Sequence, residues 1–517
     1  MAKKEDFIKQ IRDGYSVKGD SLFLGCGILD GEPVPEAAVT IPLKTLNRHG
    51  LIAGATGTGK TKTLQVLAEQ LSENGIPVLL MDVKGDLSGI AKAGEEKPFI
   101  TERHTKMGIP FSPKGYPVEL MSLSKQDGVR LRATVSEFGP VLFSRILDLN
   151  DVQEGVVSLI FKYCDDNQMP LLDLKDFKKV IQFITAEGKA EVEKEYGKVS
   201  TTSTGTILRK VMELEQQGGD IFFGELSFDI RDLLRTDRNG NGYINIIRLT
   251  DIQDKPKLFS TFMLSLLAEI YSTMPERGDM PKPSVVIFID EAHLIFNQAS
   301  KALLDQIENI VKLIRSKGVG VFFVTQNPAD IPNGVLSQLG LKVQHALRAF
   351  TAVDRKAIKL ASENYPISDF YKTDETITSL GIGEALVTAL SEKGIPTPLA
   401  ATMLRAPVSR MDILSQEEIS AINSSSELVR KYGQEIDRES AYEMLNRKIE
   451  FSENEAREAR ERQEWEKEAR RSQPVPAQGR ARTTARSTRT PVSPVVKVLT
   501  SATFIRGVLG ILAKTMK

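Results

Sequence analysis

The chain has few of the residues that mark secreted, zinc-binding or membrane-spanning proteins. Cys26 and Cys164 are the only cysteines among 517 residues, too few and too isolated for a disulfide framework or a zinc site. The first residues lack the apolar segment of a signal peptide, and no apolar run is long enough to span a bilayer. We therefore expect a reduced, cytoplasmic protein.

Aromatic residues are few, and acidic residues are unevenly distributed along the chain. Aromatic residues make up 6% of the chain and are not interleaved with basic ones, so no stacking platform for single-stranded nucleic acid is indicated. No acidic residue follows Glu468, whereas ten Lys and Arg residues occur between Arg470 and Lys517. Because the formal net charge is zero, a basic tail follows an acidic body. Such a tail favours contact with nucleic acid, an anionic membrane or an acidic face of another subunit.

The most informative pattern that is present is a glycine-rich loop. An apolar run, Leu51–Ala53, leads into a match to G-x-x-x-x-G-K-[ST], and a helix-like stretch follows. A strand, a glycine loop and a helix N-terminus together form a cradle whose backbone N–H groups bind phosphate. The predicted nucleotide-binding residues are Gly54, Ala55, Thr56, Gly57, Thr58, Gly59, Lys60, Thr61 and Lys62.

Two residues of this loop have specific predicted roles. Lys60 would reach the β- and γ-phosphates, and the hydroxyl of Thr61 would hold Mg²⁺. The sequence thus predicts that ATP and Mg²⁺ are the cofactors.

A second part of the predicted site follows a distant apolar run. Residues 284–289 read as a strand buried on both faces, and Asp290 and Glu291 come directly after it. Carboxylates at the carboxyl end of such a strand lie where α/β sheets bind ligands. We expect Asp290 to join Thr61 in the Mg²⁺ shell and Glu291 to polarise the attacking water. His293 is given no role.

A third strand-like run, residues 319–325, ends at Gln326. Its amide could contact the γ-phosphate or orient the water, as a glutamine does in some P-loop enzymes. Capping of the strand end is the alternative for this residue.

Alternating strand and helix patterns from Leu51 onward indicate an α/β fold, a P-loop NTPase (RecA-like) parallel sheet with a mainly helical insertion and a helical C-terminal tail. The predicted division is a small N-terminal β cap at 1–48, a P-loop NTPase core at 49–410 with the insertion at about 130–235, a charged helical region at 411–471, a disordered basic linker at 472–494 and an apolar basic helix at 495–517. We expect the last helix to dock within an oligomer, with a membrane surface as the alternative.

Three further segments carry a family resemblance. They are Leu46–Leu51, the run Asp82-Val83-Lys84-Gly85-Asp86, which is similar to D-x-K-G-[DE], and Arg315–Pro328, which is close to R-x-x-G-[VI]-x-x-x-x-x-T-Q-R-P. With the loop and carboxylates, over about residues 45–410, the chain resembles the FtsK–HerA superfamily of P-loop translocases, most closely YjgR-type HerA-like NTPases. Asn327 departs from the pattern, since a basic residue is usual there.

The resemblance implies a hexameric ring motor that translocates on or unwinds double-stranded DNA. It also implies that Arg315 reaches across a subunit interface to the γ-phosphate in the neighbouring site; from the residues alone, Arg315 is an exposed helix arginine. The alternative is an ATPase acting on protein or at a membrane, like the secretion ATPases that share the fold. A small-molecule kinase is disfavoured because Glu291 and Gln326 suit activation of water.

Overall fold

The computed structural model describes residues 2–278, 280–296, 301–349, 351–434 and 436–471. Among these residues, twelve strands form one sheet. The strands are β1 (Ser21–Leu29), β2 (Glu32–Pro42), β3 (Gly50–Ala53), β4 (Val78–Asp82), β5 (Val118–Ser122), β6 (Val129–Arg130), β7 (Ile244–Arg248), β8 (Val285–Ile289), β9 (Val319–Thr325), β10 (Leu341–His345), β11 (Glu384–Thr388) and β12 (Ala400–Leu404).

The helices surround this sheet or extend the chain beyond it. They are α1 (Ala2–Gly14), α2 (Lys60–Glu73), α3 (Pro98–Met107), α4 (Val135–Ile146), α5 (Asp151–Asp166), α6 (Leu174–Thr185), α7 (Lys189–Glu195), α8 (Thr201–Leu214), α9 (Asp220–Phe222), α10 (Pro256–Thr273), α11 (His293–Phe296), α12 (Lys301–Ile314), α13 (Asn333–Leu336), α14 (Ala352–Ser362), α15 (Thr373–Ser379), α16 (Gln416–Ser425), α17 (Glu427–Tyr432) and α18 (Ala441–Arg471).

The sheet order is β2-β1-β12-β11-β10-β3-β9-β8-β4-β7-β5-β6. The eight strands from β10 to β6 are parallel, and the four at the other edge pair antiparallel. The predicted α/β class with a largely parallel sheet is confirmed. The N-terminal strands β1 and β2 are part of this same sheet, because β1 pairs with β12.

The central strands are apolar up to their last residues, Asp82 in β4 and Thr325 in β9, because the sheet is buried on both faces. Every residue of β4, β8 and β9 is buried. Along β4, Leu79 and Met81 pack into one hydrophobic cluster, and Val78 and Leu80 pack into a second cluster on the opposite face. Helices α4 to α9 add their apolar residues to the first cluster, where Phe143 and Phe177 pack with ring centroids 4.8 Å apart.

Contacts divide the chain into two compact units, residues 1–450 and residues 451–517. Of the second unit, the structure describes 451–471, a charged stretch of α18 in which residues 451–469 are exposed. The predicted linker at 472–494 and the predicted apolar helix at 495–517 lie outside the described residues. None of the described helices combines the length and apolar character that a bilayer span requires.

A buried histidine fixes the entry to β3. His49 has a φ of 60° and is 2% exposed. Its Nδ1 accepts a hydrogen bond from Val321 N at 3.0 Å, and its Nε2 lies 2.8 Å from the carbonyl oxygen of Val311, to which it donates in this tautomer. Burial lowers the pKa of His49 to about 4, and the charge of Arg315 acts in the same direction. His49 therefore stays neutral in the folded chain at neutral pH.

This burial predicts a pH dependence of stability. The unfolded chain takes up the His49 proton near pH 6.5 and the folded chain only near pH 4, so this contribution is complete above 6.5 and is lost as the pH falls towards 4. We expect a loss of about 1.4 kcal/mol per pH unit in that window relative to His49→Asn, which keeps an acceptor for Val321 N but does not titrate. Denaturant unfolding of both proteins from pH 7 to 4 measures the difference, and parallel curves would contradict the prediction.

Candidate nucleotide site

The predicted loop, carboxylates and glutamine, together with Lys84, follow four neighbouring parallel strands. β3 leads into the glycine loop, β9 into Gln326, β8 into Asp290, and β4 into the turn that carries Lys84. Parallel strands present their carboxyl ends at one edge of a sheet, where α/β proteins bind ligands. The fold thus gathers segments that lie more than 200 residues apart in the chain.

Backbone hydrogen bonds on both sides hold the glycine loop open. Gly54 N donates to Thr325 O of β9 at 3.3 Å, and Ala55 N donates to Ala346 O after β10 at 2.8 Å. Gly54 has a φ of 154°, and a Cβ at this position would lie 2.5 Å from the Cβ of His345. A side chain at residue 54 would therefore close the approach between the loop and β10.

The loop delivers Lys60 and Thr61 to the start of α2. Among the described residues, no side chain caps this helix, whose N-cap is Gly59. Its first N–H groups therefore face the loop without a side-chain partner, as an anion site requires. Lys60 is buried, and its Nζ donates to Ala55 O at 3.1 Å. Burial and then the charge of Lys84 lower the pKa of Lys60.

Two other loop residues make contacts that fix the loop to its surroundings. Thr58 Oγ1 donates to Ala55 O at 2.7 Å, and Thr58 O accepts from Gly383 N at 3.0 Å. Lys62 is half-buried, and its Nζ donates to Met411 O at 2.7 Å. This contact holds Lys62 against the segment that follows β12.

Asp290 has the environment of a cation ligand. Its side chain is buried, and its Oδ2 has no hydrogen-bond partner among the described residues. Burial raises the pKa of Asp290 to about 7, an effect that Lys84 opposes and Glu291 reinforces. A buried carboxylate oxygen without a partner is costly unless a cation compensates it. Mg²⁺ commonly takes one or two protein ligands together with phosphate oxygens and water, so Thr61 and Asp290 fit that ion.

Glu291 is surrounded by polar side chains. It has a φ of 47° and forms an ion pair with Lys84 through Oε1. Its Oε2 accepts from Gln326 Nε2 at 3.4 Å and lies 3.2 Å from His293 Nδ1. Burial would raise the pKa of Glu291, but the Lys84 ammonium outweighs it and the pKa lies below its ordinary value. Glu291 is therefore an ionised carboxylate held by three neighbours.

Gln326 connects the glycine loop to Glu291. Its Oε1 accepts from Thr56 Oγ1 at 3.4 Å, while its Nε2 donates to Glu291. The end of β9 is capped by other groups, since Thr325 Oγ1 donates to Asp330 Oδ2 at 2.6 Å. Asn327 also caps, because its side chain accepts from Ala329 N at 3.1 Å. This geometry favours a site role for Gln326 over strand-end capping.

Lys84 and His293 both contact Glu291, but the sequence analysis predicted no role for either residue. Lys84 follows β4, and the turn beyond it is closed by Asp82, whose Oδ1 accepts from Gly85 N at 2.7 Å. The D-x-K-G-[DE] run could have indicated Lys84, because this run directly follows β4. β4 and β8 are neighbours in the sheet, so their carboxyl ends meet and bring Lys84 to Glu291. The pairing itself required the sheet order.

Arg315 is not brought to this site. It begins the turn Arg315–Lys317 before β9, is exposed, and lies at the edge of the sheet where the parallel strands begin. Gln326 follows the other end of the same strand, about 23 Å away at ~3.3 Å per residue for seven residues. Within one chain, Arg315 and the glycine loop therefore lie at opposite edges of the sheet.

Comparisons with known proteins identify the family of the chain. Residues 28–517 match the family model described as Helicase HerA-like C-terminal. The DNA double-strand break repair helicase HerA of Sulfolobus acidocaldarius is 23% identical over 353 residues, covering 68% of this chain and 64% of that protein. The protein of the same name from Sulfurisphaera tokodaii is 23% identical over 360 residues, with the same two shares covered. The chain thus spans under two thirds of the length of these two relatives.

A solved structure supports the fold. The bacterial conjugative coupling protein TrwBdeltaN70, in its unbound monoclinic form, superposes with a TM-score of 0.51 at 16% identity, covering 79% of this chain and 94% of that one. At this identity the likeness shows the fold alone. The resemblance to the HerA-like NTPases is confirmed by the match over most of the chain, and the protein belongs to the helicase HerA-like C-terminal family.

Proposed function

We propose that the protein is a Mg²⁺-dependent ATPase that assembles as a hexameric ring in the cytoplasm and moves along or remodels double-stranded DNA. The observation that carries the proposal is the grouping of the glycine loop, Asp290, Glu291 and Gln326 at one edge of the sheet, with Arg315 at the other. In this proposal one subunit supplies all the groups that bind the nucleotide and Mg²⁺. A neighbouring subunit supplies the remaining positive charge, the Arg315 guanidinium.

Nucleotide binding follows from the loop and the helix that it opens. The N–H groups at the start of α2 and the Lys60 ammonium neutralise the β- and γ-phosphates, while Gly54, Ala55, Thr56, Gly57, Thr58, Gly59 and Lys62 shape the loop. Thr61 and Asp290 would hold Mg²⁺, which would neutralise negative charge on the phosphates. The residues on this edge thereby fix the nucleotide with its γ-phosphate facing Glu291.

Hydrolysis follows from Glu291 and Gln326. The Glu291 carboxylate accepts the proton of the attacking water, and its ionised state in the structure suits that task. Gln326 contacts both the loop and Glu291, so its amide can orient the water between them. Arg315 of one subunit stabilises the charge on the γ-phosphate in the next subunit's site.

The proposed substrate rests on the relatives. The two relatives named above are DNA repair helicases by name, and the HerA-like match covers residues 28–517. The basic residues that begin at Arg470 agree with an anionic partner.

Double-stranded DNA should therefore stimulate ATP hydrolysis, and the stimulation should fall steeply with salt, because phosphate contacts release counterions. The test measures steady-state hydrolysis with and without duplex DNA from about 50 to 200 mM salt, together with native mass. A hexamer whose hydrolysis per subunit falls on dilution is the expected result. If anionic vesicles stimulate hydrolysis and DNA does not, the substrate is a membrane surface and not DNA. A monomer with full activity would contradict the proposed ring.

A further inference from the structure

Lys84 contacts Glu291 directly, and the proposed mechanism does not use its charge. Its Nζ forms an ion pair with Glu291 Oε1. The Glu291 side chain is 7% exposed, whereas that of Lys84 is 39% exposed, so the ammonium approaches the carboxylate from the solvent side. A carboxylate that is paired in this way is a weaker proton acceptor than a free one.

The charge of Lys84 also reaches the phosphate end of the site. Lys84 pairs with Glu291, Glu291 Oε2 accepts from Gln326 Nε2, and Gln326 Oε1 accepts from Thr56 Oγ1, so a chain of contacts connects the ammonium to the glycine loop. Without nucleotide, the ammonium groups of Lys60 and Lys84 face the carboxylates of Asp290 and Glu291, and Asp86 adds a third carboxylate near Lys84 and Asp290. A bound triphosphate adds negative charge close to Lys60, which gives Lys84 a second anion to pair with.

The turn after β4 leaves Lys84 free to change partners. Asp82 accepts hydrogen bonds from Gly85 N at 2.7 Å, Asp86 N at 3.2 Å and Leu87 N at 3.1 Å, so the backbone beside Lys84 is held in place. The flexible four-carbon side chain of Lys84 carries a compact charge, and its ammonium can change position while the backbone stays fixed. Movement of the ammonium therefore needs no movement of the sheet.

We propose that Lys84 is a γ-phosphate-binding and positioning residue that exchanges partners during the cycle. In the nucleotide-free chain it neutralises Glu291. When ATP binds, the ammonium moves to the γ-phosphate and releases Glu291. Water oxygen then attacks the γ-phosphorus, the bond to the β–γ bridging oxygen breaks, and the water proton passes to Glu291. This inference rests on the proposed function, because it assumes that the site binds ATP.

The experiment compares nucleotides with and without a γ-phosphate. Calorimetry gives the dissociation constants of Mg²⁺ with ADP and with the non-hydrolysable imido analogue of ATP, for the wild type and Lys84→Met. We expect the variant to bind the triphosphate analogue ~10-fold more weakly, the loss typical of one charge-assisted hydrogen bond, and to bind ADP almost unchanged. Equal losses for both nucleotides, or an unchanged preference for the triphosphate, would overturn the role of Lys84.

A second comparison tests the exchange itself. In Glu291→Gln the Lys84 ammonium has lost its carboxylate partner, so the triphosphate analogue should bind more tightly than to the wild type. Adding Lys84→Met should remove this gain, which a double-mutant cycle measures as coupling between the two residues. Purely additive effects would contradict the exchange.

Two control variants test whether the charge of Lys84 is the cause of the preference for the triphosphate. Lys84→Arg keeps the charge and should keep most of the preference. Lys282→Met removes a half-buried lysine before β8, whose Nζ donates to Asn74 O at 2.7 Å, and should leave the preference unchanged. Wild-type protein that binds neither nucleotide would reject the proposed ATPase, whereas binding with an unchanged preference in Lys84→Met rejects only the role of Lys84.

Discussion

Glu291→Gln should reduce ATP hydrolysis by about 10²-fold or more while ATP binds at least as tightly as to the wild type. The amide keeps the size of the carboxylate and an oxygen that can accept from Gln326 Nε2, but it cannot take up the water proton. Because Lys60, Thr61 and Asp290 are unchanged, the contacts to the bound nucleotide persist. Single-turnover hydrolysis and calorimetric titration with Mg²⁺ and ATP measure the two quantities separately.

A matched control for this substitution lies on α12. Glu308 also forms an ion pair with a lysine, Lys312, at 2.6 Å, but α12 packs into the first hydrophobic cluster, whereas α2, which follows the glycine loop, packs into the second. Glu308→Gln should leave hydrolysis close to the wild-type rate, which shows that loss of a glutamate–lysine pair alone is harmless. Normal turnover in Glu291→Gln would remove Glu291 from the mechanism and leave water activation to Gln326 or to a group from a neighbouring subunit.

The local parts of the site could be predicted from the sequence. The loop around Lys60, the carboxylates after β8 and the amide after β9 each depend on a short pattern, a buried strand followed by polar residues. The rule that ligands bind at the carboxyl ends of parallel strands then places these segments together without knowledge of the strand order.

Long-range contacts could not be predicted in the same way. The ion pair between Lys84 and Glu291 depends on β4 lying beside β8, and no local pattern determines which strands are neighbours. The same holds for β1, which reads as a piece of a small cap until its pairing with β12, near the end of the core, is known. His49 likewise owes its burial to contacts with Val311 of α12 and Val321 of β9, which lie more than 260 residues further along the chain.

The position of Arg315 also could not be predicted without the fold, and this position bears on the role that is proposed for the residue. The family pattern marks Arg315 as an arginine that acts across an interface, while its local sequence reads as an exposed helix residue. The structure places it at the edge of the sheet opposite to its own glycine loop. An arginine in this position lies away from its own glycine loop, so a catalytic role for it would require the site of a neighbouring subunit.

Arg315→Ala should therefore reduce hydrolysis by ~10³-fold or more without weakening ATP binding, since an arginine supplied in trans stabilises charge that develops in the transition state. Lys312→Ala, which removes an exposed cation from the same helix end, should leave the rate close to the wild type. Steady-state hydrolysis and equilibrium binding of ATP by each variant give the comparison.

Mixing two inactive variants decides whether Arg315 acts in trans. Lys60→Ala subunits lack a working loop but present Arg315, and Arg315→Ala subunits have the opposite defect. In a ring formed at random from equal amounts, about one interface in four pairs an intact loop with an intact arginine, because ring interfaces are head-to-tail. Activity should return on mixing and be greatest near equal amounts. If native mass shows mixed rings and no activity returns at any ratio, Arg315 acts within its own chain or is purely structural, and the interface site is wrong.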